Sequence, residues 1–188
     1  MIEVDKCKIL ITSLSPVSNA VQPICEKNKI IQLAFCMDPD IAKRSEYTFR
    51  IYPNMWQEAE KLTDFIIKHG YRRVGVIYIA ISAFEKEINE YIKPILRKHG
   101  IQLIAQESFT FDTKDVRPLC FKVKKTSPEA LMVFAYAPQL PMVFDGLAQA
   151  GLIGKVQLLG NIAYIFELQV PKQYLEGLVF TAPVYTLK

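Results

Sequence analysis

The two histidines could act as general acids or bases, and both stand in the same local pattern. Lys68-His69-Gly70 and Lys98-His99-Gly100 each follow a run with helical periodicity. A cation in the last turn interacts favourably with the helix dipole, and a glycine can take the left-handed conformation that ends a helix. The pattern therefore predicts two helix ends and favours this placement over a catalytic role.

Four cysteines could hold a metal or form a disulfide: Cys7, Cys25, Cys36 and Cys120. No two of them make a Cys-x-x-Cys pair, so their spacing does not indicate a zinc site, and it leaves one disulfide open. Cys25 and Cys120 stand at apolar helical positions, which predicts core packing. The sequence also lacks Gly-x-Gly-x-x-Gly, the P-loop motif and Gly-x-Ser-x-Gly. We therefore predict no metal, no cofactor and no enzymatic activity.

Apolar strands and amphipathic helices alternate between Tyr71 and Val184. Continuous β-branched runs such as Val74–Ile79 are typical of strands buried on both faces of a parallel sheet. Asp112 or Thr113 is predicted to cap one of the intervening helices. Five strands and at least three helices indicate an α/β fold with a doubly wound parallel sheet. The predicted strands are 74–79, 101–105, 130–135, 156–159 and 178–181.

The first seventy residues predict strand, helix, strand, strand, helix. The strands are 8–12, 30–35 and 47–51, and the second helix begins near Pro53. The first helix is expected to bury Ala20, Val21, Ile24 and Cys25. Three strands with two helices cannot cover both faces of a sheet, so this part is predicted to be a lobe with pieces missing.

Length, composition and charge limit which other classes of protein the chain can belong to. The 188 residues are long enough for one large or two small domains, and 51% of them are hydrophobic. A net charge of +4 with scattered basic residues does not predict a nucleic-acid partner. Residues 1–5 include two acidic side chains and no apolar core of a secretory signal, and no run approaches the roughly 20 apolar residues of a membrane span.

Eight short motifs follow one another between residues 8 and 184. They are Ser13-Leu14-Ser15 and the segments 22–26, 30–33, 50–54, 73–78, 111–115, 124–130 and 176–183. Their order and spacing resemble type I periplasmic binding proteins of the branched-chain amino acid class, which serve ABC transporters. The resemblance implies two Rossmann-like lobes: a partial first lobe at 1–70, a second lobe at 71–184 and the start of a hinge return at 185–188. The family's mature proteins are about twice as long, so a truncated or partial chain is expected.

The resemblance also implies a ligand site between the lobes, at the carboxyl ends of strands. In the first lobe Ser15 aligns with a carboxylate-binding serine. Cys36 and Met37 align with a loop whose hydroxyl groups are absent here. Asp38 in that loop would repel a carboxylate unless it turns outward to cap the following helix.

In the second lobe Phe84 and Tyr136 fall near ligand-facing aromatic residues of the family. Ile162 falls at the acidic partner of the ligand's ammonium group, which an isoleucine cannot balance. We therefore hypothesise that leucine-like ligands are not bound by the family's usual chemistry. The more apolar cleft, with Tyr164 also available, would take an aromatic or aliphatic carboxylate.

The predicted function is a non-enzymatic extracytoplasmic solute-binding component of an ABC transporter, a lipoprotein whose signal segment is not in this sequence. It would pass a small amino-acid-like, aromatic or aliphatic molecule to a membrane permease. The alternatives are a ligand-sensing regulatory protein with the same fold and a truncated product without ligand binding. An unpaired strand edge and uncovered apolar surface in the first lobe also predict a homodimer.

Overall fold

Within the described residues, eight parallel strands form two separate sheets, one in each compact unit of the chain. This computed structural model describes residues 6–161, 164 and 169–182. Met1–Gln57 form the first unit and Glu58–Lys188 the second. The α/β class is therefore confirmed. The lobe limits 1–70 and 71–184 stay a prediction, and the hinge return at 185–188 lies outside the described residues.

The first unit contains a three-stranded sheet in the order β1-β2-β3. Its strands are β1 (Ile9–Ser13), β2 (Ile31–Phe35) and β3 (Thr48–Arg50). Helix α1 (Ser15–Lys27) joins β1 to β2, and a 3-10 turn (Ile41–Arg44) precedes β3. Helix α2 (Met55–Lys68) contains the division between the units.

Helix α1 buries a polar face, which overturns the apolar face predicted for it. Ala20 and Ile24 are exposed, Val21 is only partly buried, and of the predicted set Cys25 alone is fully buried. The buried face carries Ser15, Ser18, Gln22 and Cys25. The reason is the sheet beneath, whose covered side presents Thr12, Gln32 and Thr48.

Gln32 connects this buried polar layer. Its amide nitrogen donates to Thr12 Oγ1 at 3.0 Å and to the Ser18 carbonyl at 2.9 Å, and its amide oxygen accepts from Thr48 Oγ1 at 3.0 Å. Ser18 Oγ also donates to Thr12 Oγ1 at 3.0 Å. Because these buried polar groups have hydrogen-bond partners, the bonds offset the cost of removing them from water, and the polar face can be buried stably.

The opposite side of this sheet is apolar and exposed. Ile11 is 66% and Phe49 53% exposed, and the other members of this apolar sheet face are Ile9, Ile31, Phe35 and Ile51. Side chains alternate between the two faces of a strand, so one polar, covered side leaves one apolar, open side. This confirms that three strands and their helices cover only one face of the sheet.

The second unit contains a five-stranded parallel sheet in the order β5-β4-β6-β7-β8. All its strand pairs are parallel, as predicted, and the strand order is one that doubly wound sheets have. Its strands are β4 (Arg73–Ile79), β5 (Gln102–Phe109), β6 (Ala130–Phe134), β7 (Gln157–Gly160) and β8 (Val179–Phe180). Its helices are α3 (Ser82–Lys86), α4 (Lys93–Lys98), α5 (Arg117–Thr126) and α6 (Leu140–Gln149), with a 3-10 turn at Lys172–Tyr174.

Two helices of the described chain end where the histidine pattern predicts. Helix α2 ends at Lys68 and α4 at Lys98, and Gly70 and Gly100 follow with φ of 74° and 65°. His69 Nδ1 lies 2.9 Å from the Phe65 carbonyl of its own helix. None of the helices in the described part of the chain has the length and apolar character to cross a bilayer.

A π-helical segment, Glu87–Ile92, joins α3 to α4 without a break. Glu87 at its start is completely buried, and neither carboxyl oxygen has a hydrogen-bond partner among the described residues. Burial, and then the nearby carboxyl group of Glu58 on α2, raise the pKa of Glu87 well above its usual value. Glu58 itself is buried and accepts a hydrogen bond from Thr181 Oγ1.

Candidate ligand-binding site

The carboxyl ends of β1 and β2 bring Ser15, Cys36 and Met37 together in the first unit. Ser15 Oγ accepts hydrogen bonds from the Met37 amide at 3.1 Å and the Asp38 amide at 3.2 Å. Ser15 is buried, so its hydroxyl holds the loop after β2 against the start of α1. A direct ligand contact by Ser15 stays a prediction.

Asp38, in the loop after β2, has a side chain that is only 19% exposed, and the cap position of the following 3-10 turn is held by Asp40 rather than by Asp38. Asp38 Oδ1 accepts from the Asp40 amide at 2.9 Å, and its Oδ2 accepts from Asn19 at 3.0 Å and from Arg44 at 2.6 Å. Burial alone would raise the pKa of Asp38, but these donors together hold it below its usual value. The carboxylate is thus ionised, and the Arg44 guanidinium offsets its charge.

Cys36 and Met37 give this loop an apolar character. Both side chains are buried, and Cys36 Sγ lies 3.9 Å from the Asp38 carbonyl. Burial, and then the charge of Asp38, raise the pKa of the Cys36 thiol, so it stays protonated at neutral pH. At the end of β1, Leu14 has φ of 69°, a conformation that costs a non-glycine residue about 1–3 kcal/mol.

In the second unit Phe84 and Tyr136 are in contact at the carboxyl ends of β4 and β6. Their ring centroids lie 5.8 Å apart, and Phe84 also packs on Phe134 at 5.7 Å. Phe84 is completely buried, whereas Tyr136 is only partly buried. Phe84 therefore supports the Tyr136 ring from below, and its predicted direct contact with a ligand stays a prediction.

Phe111 joins this group although the sequence reasoning did not select it. It follows β5, is 52% exposed, and stacks on Tyr136 with centroids 6.0 Å apart and rings 9° from parallel. The predicted end of β5 at residue 105 is four residues early, since the strand continues to Phe109. The signal that could have found Phe111 is the strand pattern itself, because a longer β5 places Phe111 at the carboxyl edge.

The end of β7 is the third part of the candidate site. Ile162 lies outside the described residues, so its predicted role stays a prediction. Its neighbour Asn161 is buried, and its Oδ1 has no partner in the part of the chain that the structure describes. Tyr164 is buried, its hydroxyl donates to the Val133 carbonyl at 3.4 Å, and its ring stacks with Phe180. Its place is in the core of this unit.

These side chains can take part in the binding of a small molecule. Across the described residues no group of three or more histidine, cysteine or acidic side chains is arranged to hold a metal ion. The donors and aromatic rings at the strand ends can form hydrogen bonds and stack with a small molecule.

Comparison with solved structures supports the fold. A solute-binding protein of an ABC transporter from Rhodopseudomonas palustris BisB5, in complex with 3,4-dihydroxybenzoic acid, is 19% identical with a TM-score of 0.78, over 87% of this chain and 46% of that chain. Another from R. palustris, in complex with 4-hydroxybenzoate, is 17% identical with a TM-score of 0.82, over 94% of this chain and 49% of that chain.

A branched-chain amino acid transporter substrate-binding protein from Streptococcus pneumoniae, in complex with isoleucine, is also similar. It is 13% identical with a TM-score of 0.76, over 95% of this chain and 52% of that chain. The chain thus spans about half the length of these structures, and at such identities the likeness shows the fold alone. Among the curated proteins, none is similar enough in sequence to count as a relative.

A match over nearly the whole sequence identifies the family of this chain. A profile described as periplasmic binding protein matches residues 1–187, nearly the entire chain. Members of this family are extracytoplasmic and bind solutes rather than catalyse reactions. The chain therefore belongs to the periplasmic binding protein family and has its type I fold.

Proposed function

We propose that this chain is part of the solute-binding component of an ABC transporter and binds a small aromatic or aliphatic carboxylate. The observation that carries the proposal is the aromatic surface at the carboxyl ends of β4, β5 and β6, formed by Tyr136 and Phe111 over a buried Phe84. Family membership supports the binding role. The lipoprotein anchor and the permease partner stay predictions from the resemblance.

In this proposal each of the two lobes, 1–70 and 71–184, contacts a different end of the ligand. The hydroxyl of Ser15 and the apolar loop with Cys36 and Met37 serve the carboxylate end of the ligand. Tyr136, supported by Phe84, serves its hydrocarbon end together with Ile162. Asp38 does not oppose this arrangement, because Arg44 offsets its charge while Asn19 and the Asp40 amide donate hydrogen bonds to it.

Calorimetry distinguishes this proposal from ordinary amino-acid binding. We expect the chain to bind benzoate or 4-hydroxybenzoate and to bind leucine, isoleucine and valine about 30-fold or more weakly. The reason is the missing acidic partner at Ile162, since an unpaired buried charge costs about 2–5 kcal/mol. Micromolar binding of any of the three amino acids would contradict the proposed ligand class.

A matched variant tests the position of the charge partner. Replacing Ile162 with Glu should improve leucine binding relative to benzoate, because it supplies an anion where the ammonium group is expected. Glu90, exposed on the π-helical segment, offers a control in Glu90→Gln, which should leave both affinities unchanged. Benzoate binding that is unaffected by Ile162→Glu would place the hydrocarbon end of the ligand elsewhere.

We also propose that this chain forms a homodimer through the apolar sheet face of the first unit. Its support is the exposure of Ile11 and Phe49 on an open parallel sheet, because contiguous apolar surface of this kind favours association. Light scattering at increasing concentration should show a dimer, and Phe49→Lys should shift it to a monomer. Phe121→Lys, at a 44% exposed phenylalanine of α5, is the control and should not. A monomeric wild type at high concentration would refute the proposal.

A further inference from the structure

A row of aromatic rings runs from the core of the second unit to its surface. Phe134 packs on Phe84, Phe84 on Tyr136, and Tyr136 on Phe111, with centroids 5.7, 5.8 and 6.0 Å apart. The first two rings are completely buried, Tyr136 is partly buried and Phe111 is half exposed. The row therefore anchors one face of the Phe111 side chain on packed residues and leaves part of its ring open to solvent.

The turn that carries Phe111 is held by its own hydrogen bonds. The Thr110 amide donates to Thr113 Oγ1 at 3.0 Å, the Thr113 amide donates to the Thr110 carbonyl at 3.1 Å, and Thr110 Oγ1 donates to Asp112. The prediction that Asp112 or Thr113 caps α5 is wrong, because both bond within this turn and α5 begins only at Arg117. A ring held on both sides, by the turn and by Tyr136, is pre-organised for stacking.

The charge beside Phe111 sets the direction of an acidic ligand. The hydrogen bond from Thr110 lowers the pKa of Asp112, so Asp112 is ionised at neutral pH. A carboxylate placed next to this exposed aspartate is repelled, whereas a ring hydroxyl or a ring edge is not. Phe111 thus suits the end of an aromatic acid that is far from its carboxylate.

We propose that Phe111 is a specificity-determining residue of this unit, against which the ring of an aromatic carboxylate stacks with its carboxylate directed away from Asp112. This inference rests on the proposed function and assigns the ring end of the ligand to Phe111 and Tyr136. It explains why an exposed phenylalanine stands at the carboxyl edge, next to the site, on a turn with so many internal bonds.

The test compares a flat ring with a saturated ring of the same size. Calorimetry measures benzoate and cyclohexanecarboxylate on the whole chain and on three variants. Phe111→Ala should weaken benzoate about 3- to 10-fold and cyclohexanecarboxylate less than 2-fold, since only the flat ring stacks. Phe111→Tyr should retain benzoate binding. Phe121→Ala, at an exposed ring that Lys124 covers on α5, should change neither.

The outcomes separate this inference from the proposed function. An equal loss for both carboxylates, or no loss in Phe111→Ala, overturns the stacking role while the chain still binds a carboxylate. If calorimetry detects no carboxylate at all, the proposed function fails, and NMR with millimolar benzoate decides the inference. A nuclear Overhauser effect between benzoate protons and the Phe111 ring supports it, and the absence of such an effect overturns it.

Discussion

Replacing Glu87 with Met should stabilise this chain by about 1–4 kcal/mol at pH 7. Glu87 is completely buried in the π-helical segment, and neither of its oxygens has a partner among the described residues. A methionine of similar volume fills the same space without a carboxyl group to desolvate. Urea unfolding of the wild type and the variant at equal concentration measures the difference. A destabilised Glu87→Met would show that the carboxyl group has a stabilising partner.

The pH dependence gives the same carboxyl group a second test. Burial, and then the charge of Glu58, raise the pKa of Glu87 in the folded state, while in the unfolded chain it is about 4.3. The folded state therefore binds more protons, and stability is lost as pH rises from the unfolded value towards the folded one, by at most about 1.4 kcal/mol per unit. Below about pH 4 this loss vanishes.

Glu87→Gln tests whether ionisation of Glu87 causes this pH dependence, because the amide keeps the size and polarity of the side chain but does not titrate. We expect its stability to match the wild type near pH 4 and to exceed it increasingly from pH 5 to pH 8. Glu58→Gln should reduce the slope of the wild type, since it removes the like charge that acts on Glu87. The control is Glu90→Gln, at an exposed residue of the same segment. Parallel pH curves for wild type and Glu87→Gln would contradict this explanation.

Replacing Gly160 with Ala should destabilise the second unit by about 3 kcal/mol. A Cβ atom at this position would lie within 3.0 Å of three ring carbons of Tyr164. Tyr164 cannot move away easily, because it is buried against Phe144 and Phe180 with centroids 6.1 Å from each. Thermal and urea unfolding measure the loss.

A second change at the contacting residue tests the steric cause. Tyr164→Leu removes the ring that Gly160→Ala strikes, so the double variant should lose less stability than the sum of the two single variants. Gly75→Ala, in strand β4 of the same sheet, is the matched control. Its added Cβ would meet the end of the Leu131 side chain at 3.1 Å, which can shift, so the expected cost is smaller. Strict additivity in the Gly160 and Tyr164 cycle would exclude the clash as the cause.

Most of the fold could be predicted from local patterns in the sequence. Strand and helix depend on the spacing of apolar residues over a few positions, so all eight strands could be predicted at their places along the chain. The ends of α2 and α4 could be predicted for the same reason, because a basic last turn and a following glycine act on the backbone next to them. Resemblance to the family then grouped Ser15 with Cys36 and Met37, and Phe84 with Tyr136.

The sequence by itself determined which segments become strands and helices and that one face of the sheet in the first unit would stay uncovered. Only the tertiary structure decided which faces meet. Helix α1 buries Ser18 and Gln22 rather than Ile24 because the sheet beneath it presents Thr12 and Gln32, which are distant in sequence. The burial of Glu87 and the stacking of Phe111 on Tyr136 likewise arise between separate elements. Such contacts depend on long-range packing, which no local periodicity records.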